Sequence, residues 1–443
     1  MNNFPRYDSY KDSGVDWLGD IPSHWEVIRS KRLFQQRTER ARKDDGQLTA
    51  SQKFGVIVQE EFMELEGRRV TQVEFNRSIL KHIEPNDFLI SMRSFQGGIE
   101  FSSYRGCVSS AYVVLKPIKN IVPEFYQYLL KSDGYIRALS STSNLVRDGQ
   151  ALRFENFSLV DLVVIPEAEQ TAIAEFLDRK TTQIEQAITQ KEQLIELLKE
   201  RRRILIHNAI IRGLNPNVKM KDSGVEWIGE IPEHWDILPG LRFFRESKEK
   251  NTGMKEKTVL SLSYGKIIIK PEERLVGLVP ESFETYQIVK PDHIVIRCTD
   301  LQNDQTSLRT GLVKNVGIIT SAYLALEVRA EENPAFYHYY LHALDTTKIL
   351  YKFGSGLRQN LSFLDFKRLP TIRVPRSEQD EIVKYLNKVE SKIETAISCK
   401  RKEIEKLKEY KAVLINSAVT GKIKVCGNSQ NAEVKSSYAQ SNE

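Results

Sequence analysis

The sequence repeats itself. Residues 11–27 read KDSGVDWLGDIPSHWEV, and residues 221–237 read KDSGVEWIGEIPEHWDI. A duplication constrains the fold more than any local propensity, because each copy must build the same scaffold from its own residues. All four tryptophans, Trp17, Trp25, Trp227 and Trp235, lie inside these two segments. Large apolar rings between Gly and Pro turns suit a rigid docking element, packed rather than catalytic.

Each opening segment leads into a strand-rich region. Asp87-Phe-Leu-Ile-Ser-Met-Arg93 reads as a short strand ending on Arg, and Asp292-His-Ile-Val-Ile-Arg297 does the same. The loops that follow differ: SFQGGIEFSSYRG at 94–106, against the longer and more polar CTDLQNDQTSLRTG at 298–311. Strand-like pattern resumes at Ser110-Ala-Tyr-Val-Val-Leu and Ser321-Ala-Tyr-Leu-Ala-Leu. Pro123-Glu-Phe-Tyr-Gln-Tyr and Pro334-Ala-Phe-Tyr-His-Tyr then place Pro first and aromatics at helical spacing, which predicts a short helix packed on a sheet. A second polar loop follows, Arg147–Arg153 in one copy and Gly354–Asn360 in the other.

An apolar strand ending at Pro166 or Pro375 leads into Glu169-Gln170 or Glu378-Gln379, where a long helix begins in each copy. From about Glu169 to Arg212 no Pro or Gly intervenes, and Gly213 fits a helix stop. Leu177, Ile184, Lys191, Leu198 and Leu205 hold one heptad position; Thr181, Ile188, Ile195, Arg202 and Ala209 hold the other. That is a coiled-coil seam rather than a broad core-facing stripe. It recurs 209 residues later as Leu386, Ile393, Lys400, Leu407 and Leu414, with Glu390, Ile397, Ile404, Lys411 and Ala418. Two helices with narrow apolar stripes can bury them on each other.

The predicted division is therefore a first globular unit at 1–167, a central helix at 168–213, a junction at 214–220, a second unit at 221–376, a second helix at 377–425 and a loose tail at 426–443. A chain of 443 residues is too long for one core. Its net charge of +6 permits a polyanionic partner without demanding one. Cys107, Cys298, Cys399 and Cys426 are far apart and form no CxxC, which argues against a disulfide framework or a Cys-rich zinc site and fits a reducing cytoplasm. The first residues carry no secretory pattern, and no stretch approaches the length of a membrane span.

Catalytic motifs fail on inspection. Asn333-Pro334-Ala335-Phe336 approaches an amino-methyltransferase loop but lacks its second Pro, and its repeat partner Val122-Pro-Glu-Phe125 has no Asn. His338 and His342 have zinc-protease spacing, yet Tyr339 stands where the general base belongs and the repeat places Gln127 and Lys131 there. No phosphate-binding GxxxxGK[ST] occurs. No catalytic residue, metal ligand or cofactor of its own is assigned to this chain.

The polar loops carry groups suited to DNA. Arg bonds guanine bidentately, Asn and Gln bond adenine, and basic side chains neutralise phosphate. The candidates are Ser91, Arg93, Gln96, Arg105, Gln150 and Arg153 in the first copy. In the second they are Arg297, Asp300, Gln302, Asn303, Gln305, Arg309, Arg358, Gln359 and Asn360. Similar scaffolds with different loops are what a reader of two different short targets needs.

The paired KDSGV-[DE]-W-[LI]-G-[DE]-IP-x-HW segments, the Pro-x-x-Glu-Gln helix starts and the two long helices resemble the specificity subunit of type I restriction–modification systems. The resemblance spans nearly the whole chain. It implies an α/β (α+β) fold: two tandem target-recognition domains separated by an antiparallel coiled coil, with pseudo-two-fold symmetry. It also implies binding of double-stranded DNA at a split site, with two methyltransferase subunits docked per chain and restriction/translocase subunits beyond them. In that family the partners, not this subunit, use S-adenosylmethionine, ATP and Mg²⁺. The family's recognition domains diverge, so no base contact transfers by position. Two other classes stay open at this point: a coiled-coil scaffold with duplicated protein-binding domains, and a free-standing DNA-modifying enzyme.

Overall fold

The computed structural model describes residues 4–67, 69, 77–91, 94–142, 152–271, 282–299, 301, 308–353 and 360–425. The chain forms two compact units. One comprises residues 1–190 with 402–443, and the other residues 191–401. Each unit therefore draws one half of each long helix, a division that cuts across the linear order of the segments.

The first unit is built on a four-stranded antiparallel sheet ordered Phe34–Arg37, Val113–Pro117, Phe88–Ile90, Glu100–Phe101. Side chains alternate across a sheet, and this one separates two cores. Phe88, Ile90, Val113 and Leu115 enter the main core with Trp25, Tyr126 and Leu177. Leu89 and Val114 enter a smaller core on the other face, with Leu48, Val56 and Val108. A hairpin, Leu48–Ser51 with Gly55–Val58, covers that second face. The helix Pro123–Leu129 lies in the main core with Phe125, Tyr126 and Leu129 buried, as the Pro start and aromatic spacing predict.

The second unit repeats the order: Phe244–Ser247, Tyr323–Val328, Ile294–Arg297, Thr310–Leu312. Ile294, Ile296, Leu324 and Leu326 face its main core, and Val295 and Ala325 face the smaller one. One register differs from the sequence reading. Asn86 and Asp292 share a left-handed backbone, φ 70° and 71°, so Asp292 matches Asn86 and not Asp87. Asn and Asp both tolerate that conformation, which hides the one-residue offset.

The long helices run Glu167–Arg212 and Arg376–Val419. Within the first unit Lys411 Nζ meets Glu185 Oε1 at 2.5 Å. Within the second, Arg202 Nη1 lies 3.6 Å from Glu394 Oε2. The residue numbers of both pairs sum to 596, so the helices pack antiparallel in one register. These ion pairs are part-exposed and mark the register more than they stabilise it. Along the seam Leu177, Ile184, Ile195, Leu386, Ile393, Ile397, Ile404 and Leu414 are buried. Ile188, Leu198, Leu205 and Leu407 are half-buried, and Leu197, off the seam, is 66% exposed. The narrow stripe read from the sequence is thus the buried one. Among the described residues no helix is long and apolar enough to cross a membrane.

Candidate nucleic-acid interface

The repeated His-Trp and Glu-Gln pairs meet at the start of each long helix. Trp25 is fully buried and donates its indole N–H to Glu169 Oε1 at 3.1 Å; His24 Nε2 lies 2.9 Å from Glu169 Oε2. Tyr7 adds a third bond to the same carboxylate, 2.5 Å. In the second unit Trp235 donates to Glu378 Oε2 at 3.1 Å, and His234 Nε2 lies 2.7 Å from Oε1. The adjacent glutamines fasten the helix start to the neighbouring helix. Gln170 accepts from Val122 N and donates to Ile165 O, both at 2.8 Å. Gln379 accepts from Asn333 N at 2.7 Å and donates to Val374 O at 2.8 Å. These residues are consumed by structure, which agrees with a packed role for the tryptophan segments.

The tryptophans also receive the far end of the other helix. Gly421 ends the second long helix at φ +72°, and a Cβ there would strike Pro22 and come within 3.0 Å of Trp25. Gly213 ends the first at φ +74° against Trp235. The left-handed backbone favours glycine at both, and at Gly421 space requires it as well. Beyond Gly421, Lys422 Nζ donates to the carbonyls of Leu18 and Asp20, and Lys424 N donates to Pro5 O at 2.8 Å.

The described loop residues follow the strands Phe88–Ile90 and Ile294–Arg297 or border the later polar loops. In the first unit Ser91 follows the strand Phe88–Ile90, and its N–H donates to Ser94 Oγ at 2.9 Å. Gln96 is exposed on the short helix Ser94–Gly97. Arg153 is exposed at the start of the helix Phe154–Leu159. Arg105 instead bonds Asp44 at 3.0 Å and faces Glu84 at 4.0 Å, so carboxylates engage its guanidinium. In the second unit Arg297 is half-buried at the strand end, and its N–H donates to Arg309 O at 2.8 Å. Exposed Asn360 precedes Leu361, whose N–H donates to Cys298 O at 2.9 Å, so the two polar loops are joined there. Arg93, Gln150, Asp300, Gln302, Asn303, Gln305, Arg358 and Gln359 lie outside the described residues.

Arg309 differs from the other candidates in being wholly buried. Its Nε donates to Tyr351 Oη at 2.9 Å, and its Nη1 to Thr299 O at 2.8 Å and to Arg297 O at 3.3 Å. Its backbone N–H donates to Asp345 Oδ2 at 2.5 Å. As placed, Arg309 ties the loop's two ends together from beneath. Burial pushes the Asp345 carboxyl up to about 6, despite the Arg309 N–H.

The decoy motifs resolve structurally. Asn333 caps the helix Pro334–Thr346 by accepting from Ala335 N at 2.9 Å and Phe336 N at 3.3 Å. Burial pushes His338 down to about 3 and His342 down to about 4, which holds both rings neutral. Among the described residues no group of three His, Cys, Asp or Glu is placed to hold a metal.

Two features were not read from the sequence. In the first unit His82 is buried between Asp45 Oδ2 at 2.8 Å and Glu84 Oε1 at 2.7 Å, opposite Cys107 in its strand pair. In the matching strand pair of the second unit Ile288 faces Ile318, with Val259 beside them. The other feature is the hairpin tip beside each reading loop. Gln52 presses on Gly97 so closely that a Cβ there would overlap it, and Gly265 packs on Leu308.

Residues 22–197 match the family described as Type I restriction modification DNA specificity domain. The chain is 23% identical over 366 residues to the type I restriction enzyme MjaVIII specificity subunit of Methanocaldococcus jannaschii, covering 79% of this chain and 81% of that one. A chain from a structure of a type I R-M system, titled for its complex assembly and conformational transition, superposes with TM-score 0.65 at 12% identity, over 90% of this chain and 98% of its own. The HsdS subunit from Thermoanaerobacter tengcongensis superposes with TM-score 0.51 at 13% identity, over 91% and 98%. The duplicated scaffold and its paired long helices share the fold of these solved structures, and over residues 22–197 and the matched relatives the chain is similar to type I restriction–modification specificity subunits.

Proposed function

We propose that the chain is a non-catalytic reader of duplex DNA, each unit specifying one part of a split target. One observation carries the reading. The sheet order and the Trp–Glu clamp are the same in both units, while the polar loops at the end of the central strand differ. A scaffold held constant under changing loops suits two recognition events of different sequence. The matched family and relatives are named for DNA specificity in type I restriction enzymes, which supports the same role.

In this reading the long helices space the two readers and dock two methyltransferase subunits, one for each copy of the repeat. Restriction/translocase subunits join through those. S-adenosylmethionine, ATP and Mg²⁺ belong to the partners, which act on DNA where this chain positions them.

The test is a unit exchange. Residues 30–165 are replaced by the matching unit of a relative, and the methylated motif is mapped by sequencing in cells that also express the methyltransferase. One half of the motif changes and the other is kept. A change in both halves overturns the two-reader reading. The purified chain, given methyl donor, ATP and Mg²⁺ without partners, neither methylates nor cuts DNA; turnover under those conditions overturns the non-catalytic assignment.

A further inference from the structure

The hairpin Leu260–Ser263 with Lys266–Ile269 turns on Tyr264-Gly265. Leu260 is buried in the smaller core, and Ile267 packs against it, so the hairpin base is fixed. The tip is not: Tyr264 is 93% exposed, the most exposed large hydrophobic side chain among the described residues. Its backbone is left-handed, φ 47°, where an aromatic residue is disfavoured and Gly or Asn would sit without strain. Neither burial nor backbone preference accounts for a tyrosine here.

Its surroundings point to a partner. Gly265 rests on Leu308, so the hairpin tip meets a residue of the polar segment 298–311. Residues 248–270 carry six lysines against two glutamates, whereas the matching residues 38–60 carry four basic and four acidic side chains. Lys250, Lys255, Lys257 and Lys266 are exposed. An exposed ring beside a cationic segment suits a polyanion whose sugars and groove-exposed base edges offer apolar surface. The first unit holds an aromatic-Gly pair at the same turn, but Phe54 is only half exposed and Lys53 Nζ lies 4.5 Å from its ring centroid.

We propose that this hairpin is a DNA-contacting element of the second unit, with Tyr264 set against sugars or groove-exposed base edges and Lys266 along the phosphates. This rests on the DNA-reading role proposed above and names a contact surface outside the polar loops.

The test uses the full chain assembled with its methyltransferase subunits. The probes are fluorescent duplexes carrying the motif found methylated in cells, intact or with the second half-site scrambled. Tyr264→Gly removes the ring and suits the backbone, so the fold is kept. It weakens binding to the intact motif about tenfold, the scale of a lost base-edge contact. Tyr264→Phe binds like the parent chain. Lys266→Ala weakens both duplexes alike, as loss of a phosphate contact does. Irradiation of a duplex with 5-iodouracil in the second half-site crosslinks to a peptide containing Tyr264. The proposal is overturned if Tyr264→Gly binds the intact motif as the parent does, or if its weaker binding comes with a lowered melting temperature. A parent complex that fails to distinguish the two duplexes overturns the DNA-reading role itself.

Discussion

Trp25 donates its indole N–H to Glu169 across 144 positions of sequence, and Trp235 repeats the bond to Glu378 at the same 3.1 Å. The two clamps differ in depth. Glu169 is nearly buried, with a side chain 11% exposed and three donors; Glu378 is 34% exposed with two. A buried acceptor lost from charge-assisted bonds costs more than an exposed one. Glu169→Ala is expected to destabilise the first unit by about 2–3 kcal/mol, and Glu378→Ala the second by about 1 kcal/mol. Hydrogen exchange of the peptides around Trp25 and Trp235 measures each locally; equal effects would show that depth does not matter.

Arg309 makes a comparable prediction inside the recognition edge. Its guanidinium bridges Tyr351 and two loop carbonyls while buried. Arg309→Met removes the buried donors that hold the loop's ends, at about 1–3 kcal/mol. The signature is faster exchange at residues 308–312 in the absence of DNA. An unchanged exchange rate with weakened DNA binding would reassign Arg309 to direct contact.

The helix pair predicts a spacing effect. A heptad inserted after Lys191 keeps the seam in phase and lengthens that helix by about 10 Å. Full transmission corresponds to about three base pairs at about 3.4 Å of rise. The expected motif keeps both half-sites and widens its gap by roughly one to three base pairs, the unchanged second helix absorbing the remainder. A three-residue insertion breaks the phase and damages assembly. Mapping the methylated motif decides it: an unchanged gap in a fully active heptad variant would make the helices a docking platform alone.

Acid should loosen the second unit first. His338 and His342 stand at about 3 and about 4, below the ordinary 6.5. Their folded values are depressed, so their contribution is present above pH 6.5 and is lost progressively as pH falls from 6.5 toward the folded values. At pH 5 the loss is about 2 kcal/mol for each ring. Asp345, raised to about 6, works oppositely and returns about 1 kcal/mol between pH 7 and 5. Lys314 faces His338 and Arg202 faces His342, and both disfavour added charge. Peptides from 334–346 should exchange faster at pH 5, after correction for intrinsic rates, while 123–129, with Gln127 and Lys131 at the matching positions, should not. His338→Leu with His342→Gln should flatten the response.

Some of this was legible in the sequence because repetition separates scaffold from cargo. The seam isoleucines and the His-Trp and Glu-Gln pairs recur, and each recurrence marks a side chain the fold consumes. What does not recur carried no such signal. His82 with Asp45 in one copy and Ile288 with Ile318 in the other fill equivalent space by opposite chemistry, so neither predicts its counterpart. Arg309 reads as one more polar loop residue until its burial is seen, since Arg is rarely fully buried. Tyr264 reads as a strand residue, because tyrosine favours strands and its turn depends on a backbone angle that composition does not reveal.

The bond from Lys424 N to Pro5 O has a topological meaning. The opening-segment offset of 210 carries Pro5 onto Asn215, and the helix offset of 209 carries Lys424 onto the same Asn215. What is a covalent passage from helix to hairpin in the second unit is a hydrogen-bonded meeting in the first. The bonded junction of the first unit and the covalent junction near Asn215 of the second hold equivalent places within their own units. Joining Lys424 to Pro5 through a short linker and opening the chain between Asn215 and Val218 should yield a permuted protein with the same methylated motif. Loss of the motif from a soluble permutant would mean that the two junctions, alike in position, differ in what they transmit.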